Sequence, residues 1–173
     1  MKTCRKIVGF TLALTISTAG GGFPMSKKQI RYPLGFKHGM SAETAIKVLK
    51  SLDARVVSMD SGHIHARYNK KFFGVIIEDI DLRFFDGVLK SVTLRTDGVP
   101  TDRGHEKRLK EFSGLIKANY DVDERSGSSS SDSTTDIKSR FVSRYQDGSY
   151  ELLIYSYYHN DKYYLSLNFE KFF

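Results

Sequence analysis

His63 and His65 stand one residue apart in a stretch where Ile64, Ala66 and Tyr68 alternate with His63, His65 and Arg67. A period of two places alternate side chains on opposite faces of a strand, so both imidazoles and Arg67 share one face. Two imidazoles at this spacing are the beginning of a metal site, which needs further ligands from a neighbouring strand. Asp79 and Asp81 are the carboxylates that could complete it. The metal reading leads to a metal-binding protein or a metal-dependent hydrolase using His63 and His65. The competing reading is a pair of surface histidines among other polar groups. His38, His105 and His159 fall at an element boundary, a helix start and a turn. The chain has no Gly-x-Ser-x-Gly, His-Glu-x-x-His or phosphate-loop motif, and no serine has a base at a telling spacing. Carboxylates such as Glu78 and Asp81 read equally as solvated strand residues. The residues therefore favour a protein without catalysis, and no cofactor is expected.

The same alternation runs through later segments. Ile76, Ile80, Leu82 and Phe84 oppose Asp79, Asp81 and Arg83; Ile137, Phe141 and Tyr145 oppose Lys138, Arg140 and Arg144; Leu165, Leu167 and Phe169 oppose Tyr164, Ser166 and Asn168. Leu153, Tyr155 and Tyr157 face away from Leu152 and Ile154, so the outward face is not a plain solvated surface. His63, His65, Arg67, Arg140, Arg144, Tyr155, Tyr157 and Tyr164 are the candidate partner-binding residues, because Tyr and Arg dominate the energetics of protein interfaces. Tyrosines that pack beneath a loop, or that satisfy strand propensity, are the alternative.

Positioning these residues takes two helices and eight strands. Ser41 caps a helix with Ala45, Ile46, Leu49 and Leu52 on one side, and Glu43 sits in its first turn. Strands follow over Arg55–Met59, Ile64–Tyr68, Val75–Phe85 and Val88–Arg95, with turns at Ser61-Gly62 and Asp86-Gly87. From Asp102 the order restarts: Leu109, Phe112, Leu115 and Ile116 at helical spacing, then Tyr120–Glu124, Ile137–Tyr145, Tyr150–Tyr158 and Tyr163–Phe169. Asp147-Gly148 and Asn160-Asp161 supply the turns. The expected fold is α+β: a tandem α-β-β-β-β repeat, 41–98 and 102–173, forming one antiparallel sheet of about eight strands with its helices on one face. Residues 20–40 are an extension ahead of this single domain. Ser126–Asp136, with Gly, Ser, Thr and Asp and no apolar residue, reads as a mobile hairpin loop.

Lys2, Arg5 and Lys6 precede an apolar run from Ile7 to Ile16 and small residues through Gly20, the order of a secretory signal cleaved near Ala19. Periplasmic or secreted localisation is the expectation; Met25, ahead of Ser26-Lys27-Lys28, is the alternative start of a cytosolic chain. The run is too short for a transmembrane anchor. Loss of residues 1–19 removes three basic residues and lowers the formal charge from +7 to +4. That balance, without an aromatic-basic motif, favours no nucleic-acid partner. The one cysteine, Cys4, leaves with the signal, so the remaining chain has neither disulfide nor thiol.

The repeated helix-plus-four-strand order resembles the β-lactamase-inhibitor-protein fold and related PepSY-like exported domains. Pro33-Leu34-Gly35-Phe36-Lys37-His38-Gly39-Met40-Ser41, running straight into a helix, is similar to the start of such domains in small envelope lipoproteins of the outer-membrane assembly machinery. The missing lipidation cysteine departs from those lipoproteins. The resemblance implies a binding or inhibitory module acting on an envelope or secreted protein. An extracytoplasmic domain that binds or senses a small ligand is the further alternative, and it requires a pocket where the first reading requires a flat face.

Overall fold

Ser41 accepts from the Thr44 amide and so satisfies a free N–H at the start of helix α1, Ala42–Ser51, with Glu43 in the first turn and Lys50 in the last. In this computed structural model residues 30–120, 123–126 and 138–171 are described, with the backbone alone for 123–126, 138–141 and 147. The expected signal, residues 1–19, and most of the serine-rich stretch, 127–136, lie outside them. Ala45 and Leu49 are fully buried, as their spacing requires, and Leu52 closes the helix before Asp53 turns left-handed at φ 55°.

Four strands follow: β1 Arg55–Met59, β2 His63–Phe72, β3 Val75–Phe85 and β4 Val88–Thr96. Helix α2, Asp102–Asn119, is capped by Thr101, whose hydroxyl accepts from the Gly104 amide at 3.2 Å. Then come β5 Asp123–Ser126, β6 Lys138–Asp147, β7 Tyr150–His159 and β8 Lys162–Lys171. All pairings are antiparallel and the lateral order is β1-β2-β3-β4-β8-β7-β6-β5. The architecture is α+β, and β4 and β8 form the seam where the two halves meet, with Thr93 opposite Asn168 and Leu94 opposite Leu167.

The tight turns follow from residue type. Asp86-Gly87 and Asn160-Asp161 have positive φ at both central residues, the condition for hairpin turns whose twist matches the strands. A third such turn at Phe73-Gly74 has no sequence signature, because phenylalanine at φ 48° is unfavourable. Phe73 is held there by packing: its ring meets Phe112 of α2 edge-on at 6.2 Å and Tyr120 at 6.0 Å.

Ile64, Ala66, Ile80, Leu82, Val92, Leu94, Leu152, Ile154, Leu165, Leu167 and Phe169 form the floor of the core, and the helices add Ala45, Leu49, Phe112 and Ile116 from above. Residues 30–40 are part of this core and not an appendage. Ile30, Tyr32 and Phe36 are buried, the Tyr32 hydroxyl donates to the Lys90 carbonyl, and Gly39 and Met40 pair with Leu89.

The expected face assignments fail at several register shifts and at one helix position. Ile76 is 41% exposed while Ile77 is fully buried, because β3 shifts register between Ile77 and Asp79 and Glu78 is the extra residue. Before this bulge odd-numbered side chains face the helices; after it even-numbered ones do. A second shift in β6 sets Phe141 opposite Tyr155 but Ser143 opposite Ile154. Arg140 thereby falls opposite Ser156, away from the row expected for it. On α2, Leu115 lies at the border of the stripe and stays 37% exposed.

Candidate functional site on the open sheet face

Both helices lie on the core side of the sheet, and among the described residues the other face is left open. There the ladder register builds rows of polar side chains. Arg67 of β2 stands opposite Asp79 of β3, which stands opposite Arg95 of β4; one step along, His65 faces Asp81, which faces Thr93. Seam pairing extends the rows, Arg95 to Ser166 and Thr93 to Asn168, and β7 adds Tyr155 and Leu153.

Asp81 gathers most of the contacts. One carboxylate oxygen is 2.8 Å from His65 Nδ1 and 3.1 Å from His63 Nε2, and the other accepts from Arg95. Burial alone would raise its pKa, but the charge and hydrogen bond of Arg95, with the hydrogen bond of His65, hold it below the usual carboxylate value. Asp79 is the converse. Its Oδ1 lies 3.2 Å from Arg67 Nε and 3.7 Å from His65 Nε2, distances of ion pairs, yet it lacks a hydrogen bond of good geometry. Burial outweighs the attraction of Arg95, Arg67 and His65, and its pKa is raised. Arg67 also pairs with Glu78, the bulge residue of β3.

Depth orders these charges. The side chains of Asp79 and Asp81 are 7% and 12% exposed, whereas those of Arg67, Arg95 and His63 are 41%, 34% and 36% exposed. Across the seam the pattern recurs: Glu151 is buried beneath Arg144, with Nε 2.5 Å from Oε1, and receives Gln146 at 3.2 Å. Carboxylates form the floor and guanidinium groups ride above it.

The tyrosines complete the surface. Tyr157 and Tyr164, opposite one another on β7 and β8, stack with ring centroids 5.0 Å apart and planes 7° apart. Gly98, in the connection to α2, makes room for this stack: a Cβ there would lie 2.7 Å from the Tyr164 ring. Burial raises the Tyr157 and Tyr155 hydroxyl pKa values, so both remain neutral donors at neutral pH. His63, Asp81, Arg95, Tyr155 and Tyr157 line a shallow depression of about 450 Å³ that spans both halves of the sheet.

Of the residues singled out from sequence, His63, His65 and Arg67 are brought together on β2, and Tyr155, Tyr157 and Tyr164 on β7 and β8. Arg144 stands at the far side over Glu151. Arg140 falls at the register position of Ser156, which lies on the helix side, and its side chain is outside the described residues. His63 Nε2 and both ring nitrogens of His65 lie against Asp81 and Asp79. Among the described residues no group of three or more His, Cys, Asp or Glu side chains has an arrangement able to hold a metal ion. Arg95, the central guanidinium, is not among the residues singled out from sequence, although Ser91, Thr93 and Arg95 alternating with Val92 and Leu94 carry the signal. Glu151 had no such signal, since its burial depends on the partners that cross-strand pairing supplies.

Among the described residues no helix is long and apolar enough to cross a membrane. No family model, curated protein or solved structure matches the chain.

Proposed function

We propose that this chain is an exported, non-catalytic protein-binding or inhibitory module that engages an acidic patch of an envelope or secreted protein through the open face of its sheet. The observation that carries the proposal is the layering of charge: buried Asp79, Asp81 and Glu151 fix the guanidinium groups of Arg95, Arg67 and Arg144 so that an incoming surface meets cations. Guanidinium groups held in place lose little further side-chain entropy on binding and offer forked donors to a carboxylate. Beside them, Tyr155, Tyr157 and Tyr164 provide rigid area of the kind that anchors interfaces. On this reading the two helix-plus-four-strand halves are a tandem repeat. The seam between them supports the β-lactamase-inhibitor-protein-like or PepSY-like kinship, because it joins two half-sheets into a single broad surface.

Immobilised chain, loaded with envelope extract, should retain a specific partner whose affinity falls steeply with salt. The double variant Tyr155→Ala, Tyr157→Ala should weaken that complex by more than about tenfold, the effect of losing one modest anchor. Unchanged affinity in the double variant, with Arg67→Glu equally silent, would show that the open face is not the interface.

A further inference from the structure

The two edges of the sheet differ in kind. Edge strand β5 reads Asp123-Glu124-Arg125-Ser126, a charged sequence of the type that discourages further strand pairing. Edge strand β1 reads Arg55-Val56-Val57-Ser58-Met59, with all five residues exposed and a single charge. Val56, Val57 and Met59 are 37%, 52% and 60% exposed, so three of the six large hydrophobic side chains exposed among the described residues lie on this one strand. The backbone is turned outward at the same places. The Asp60 amide donates inward to the His63 carbonyl, and the alternation of an antiparallel ladder then points the N–H and C=O of Met59 away from β2. Val57 is the extra residue of a bulge, and beyond it Val56 is the next residue with both groups outward.

We infer that β1 pairs antiparallel with β1 of a second copy of this chain, about a two-fold axis perpendicular to the sheet. With the axis between Val57 and Ser58, Val56 stands opposite Met59 of the second copy and Met59 opposite its Val56, so the outward backbone groups meet one another. The side chains agree on their faces. Val56 and Met59 lie on the core side, across from Ala66 and Ile64, and each new pair extends the apolar floor. Arg55 lies on the open side, across from Arg67, and Asp60 lies there too because it pairs with His63. In the same register Arg55 falls opposite Asp60 of the second copy, once at each end. Within one chain Arg55 faces the like charge of Arg67, which disfavours the ladder, while Asp60 spends one carboxylate oxygen on the Gly62 amide and keeps the other for a guanidinium. A shift of one residue in either direction sets core-side Val56 against open-side Ser58 or Asp60, so the faces select this register. Both strands carry the same bulge, and the extra residues come to the same level beside the axis. The two open faces lie on one side of the joined sheet, so the dimer presents that surface twice.

Sedimentation velocity over about 1 to 500 μM should show a monomer–dimer equilibrium, with a dissociation constant on the order of 10 μM for an edge too short to make a standard interface. Amide exchange at Val56 and Met59 should slow as the concentration rises. Met59→Lys, at a side chain exposed in the single chain, should weaken the dimer by roughly tenfold or more. Arg55→Glu should weaken it as much, because it sets carboxylate against carboxylate across the axis, yet within one chain it replaces a like-charge pair by an attractive one and leaves the fold intact. Arg55→Lys should keep the dimer within about threefold. A monomer throughout that range, or a dimer that either Met59→Lys or Arg55→Glu leaves intact, would overturn the proposal. Tyr155→Ala with Tyr157→Ala should leave association unchanged; a dimer lost in that variant would place the contact on the open face and overturn the proposal as well.

Discussion

Asp79 and Asp81 are two residues apart on one strand and share the same arginine, yet their environments predict opposite responses to removal of charge. Asp81→Asn deletes the anion that binds Arg95 directly and holds two histidine nitrogens, all within a part-buried cluster. Removing one partner of a fully buried pair costs about 3–5 kcal/mol, and a hydrogen bond to a charged group is worth about 1.5–3 kcal/mol. Arg95 keeps a third of its side chain in water, so roughly 2 kcal/mol is expected at pH 7. Asp79→Asn should stay within about 1 kcal/mol of wild type, because the carboxylate it removes is one whose burial outweighs its attractions. The pH dependence follows from the directions of the shifts. Asp81 titrates below its unfolded value in the fold, so its contribution is complete above the unfolded value of about 3.9 and is lost as pH falls through the folded value. Asp79 titrates above its unfolded value, so its ionisation disfavours the fold at neutral pH, and acid relieves that penalty as pH falls through the raised value. Urea unfolding of wild type and both variants at pH 7, 5 and 3 reads this directly, with the slope on denaturant as a check on two-state behaviour. The cost of Asp81→Asn should shrink towards pH 3. Equal cost for both variants at pH 7, or a cost of Asp81→Asn that grows as pH falls towards 3, would refute the assignment of Asp81 as the electrostatic keystone.

The β3 bulge predicts that Ile77→Ala costs about 2–5 kcal/mol while Ile76→Ala costs below about 1 kcal/mol in the same urea assay; a reversed order would restore strict alternation. Gly98→Ala should force the Tyr164 ring to shift, costing about 1–3 kcal/mol and moving the ring-proton resonances of Tyr157 and Tyr164. Unshifted resonances would mean that the close approach at Gly98 does not set the stack. Thr101→Ala removes the cap of α2 and should lower stability by about 1 kcal/mol, whereas Thr101→Ser should be nearly neutral; equal losses would deny the hydroxyl its role.

Much of the scaffold is legible from residue spacing. Ser41 and Asp102 mark the two helix starts to within a residue, and Asp86-Gly87 and Asn160-Asp161 announce their turns, because caps and left-handed turns depend on local chemistry. The grouping of His63, His65 and Arg67 with Asp79 and Asp81 was equally accessible, since a two-residue period fixes the face. What escaped depends on long-range pairing. Bulges at Glu78 and Val142 exchange the faces of Ile76 and Ile77 and relocate Arg140, and nothing in the neighbouring residues marks them. Phe73 adopts an unfavourable φ only because Phe112 and Tyr120 receive its ring. His105 reads as an ordinary helix-start residue until the fold brings Ser156, 51 positions later, against it.

The lateral strand order carries a consequence for biosynthesis. Strand β8, last of the eight in chain order, inserts between β4 and β7 in the middle of the sheet. A ribosome that has released everything through β7 has produced two half-sheets, each ending in an unpaired edge with Val92 and Leu94 on one and Leu152 and Ile154 on the other. Exposed edges of this kind recruit foreign strands. Closure therefore waits for β8, and the partners at the seam lie more than seventy positions apart, as Thr93 and Asn168 do. Such long-range pairing is slow to form, which makes the interval before β8 emerges the time when a holding chaperone matters most to this chain.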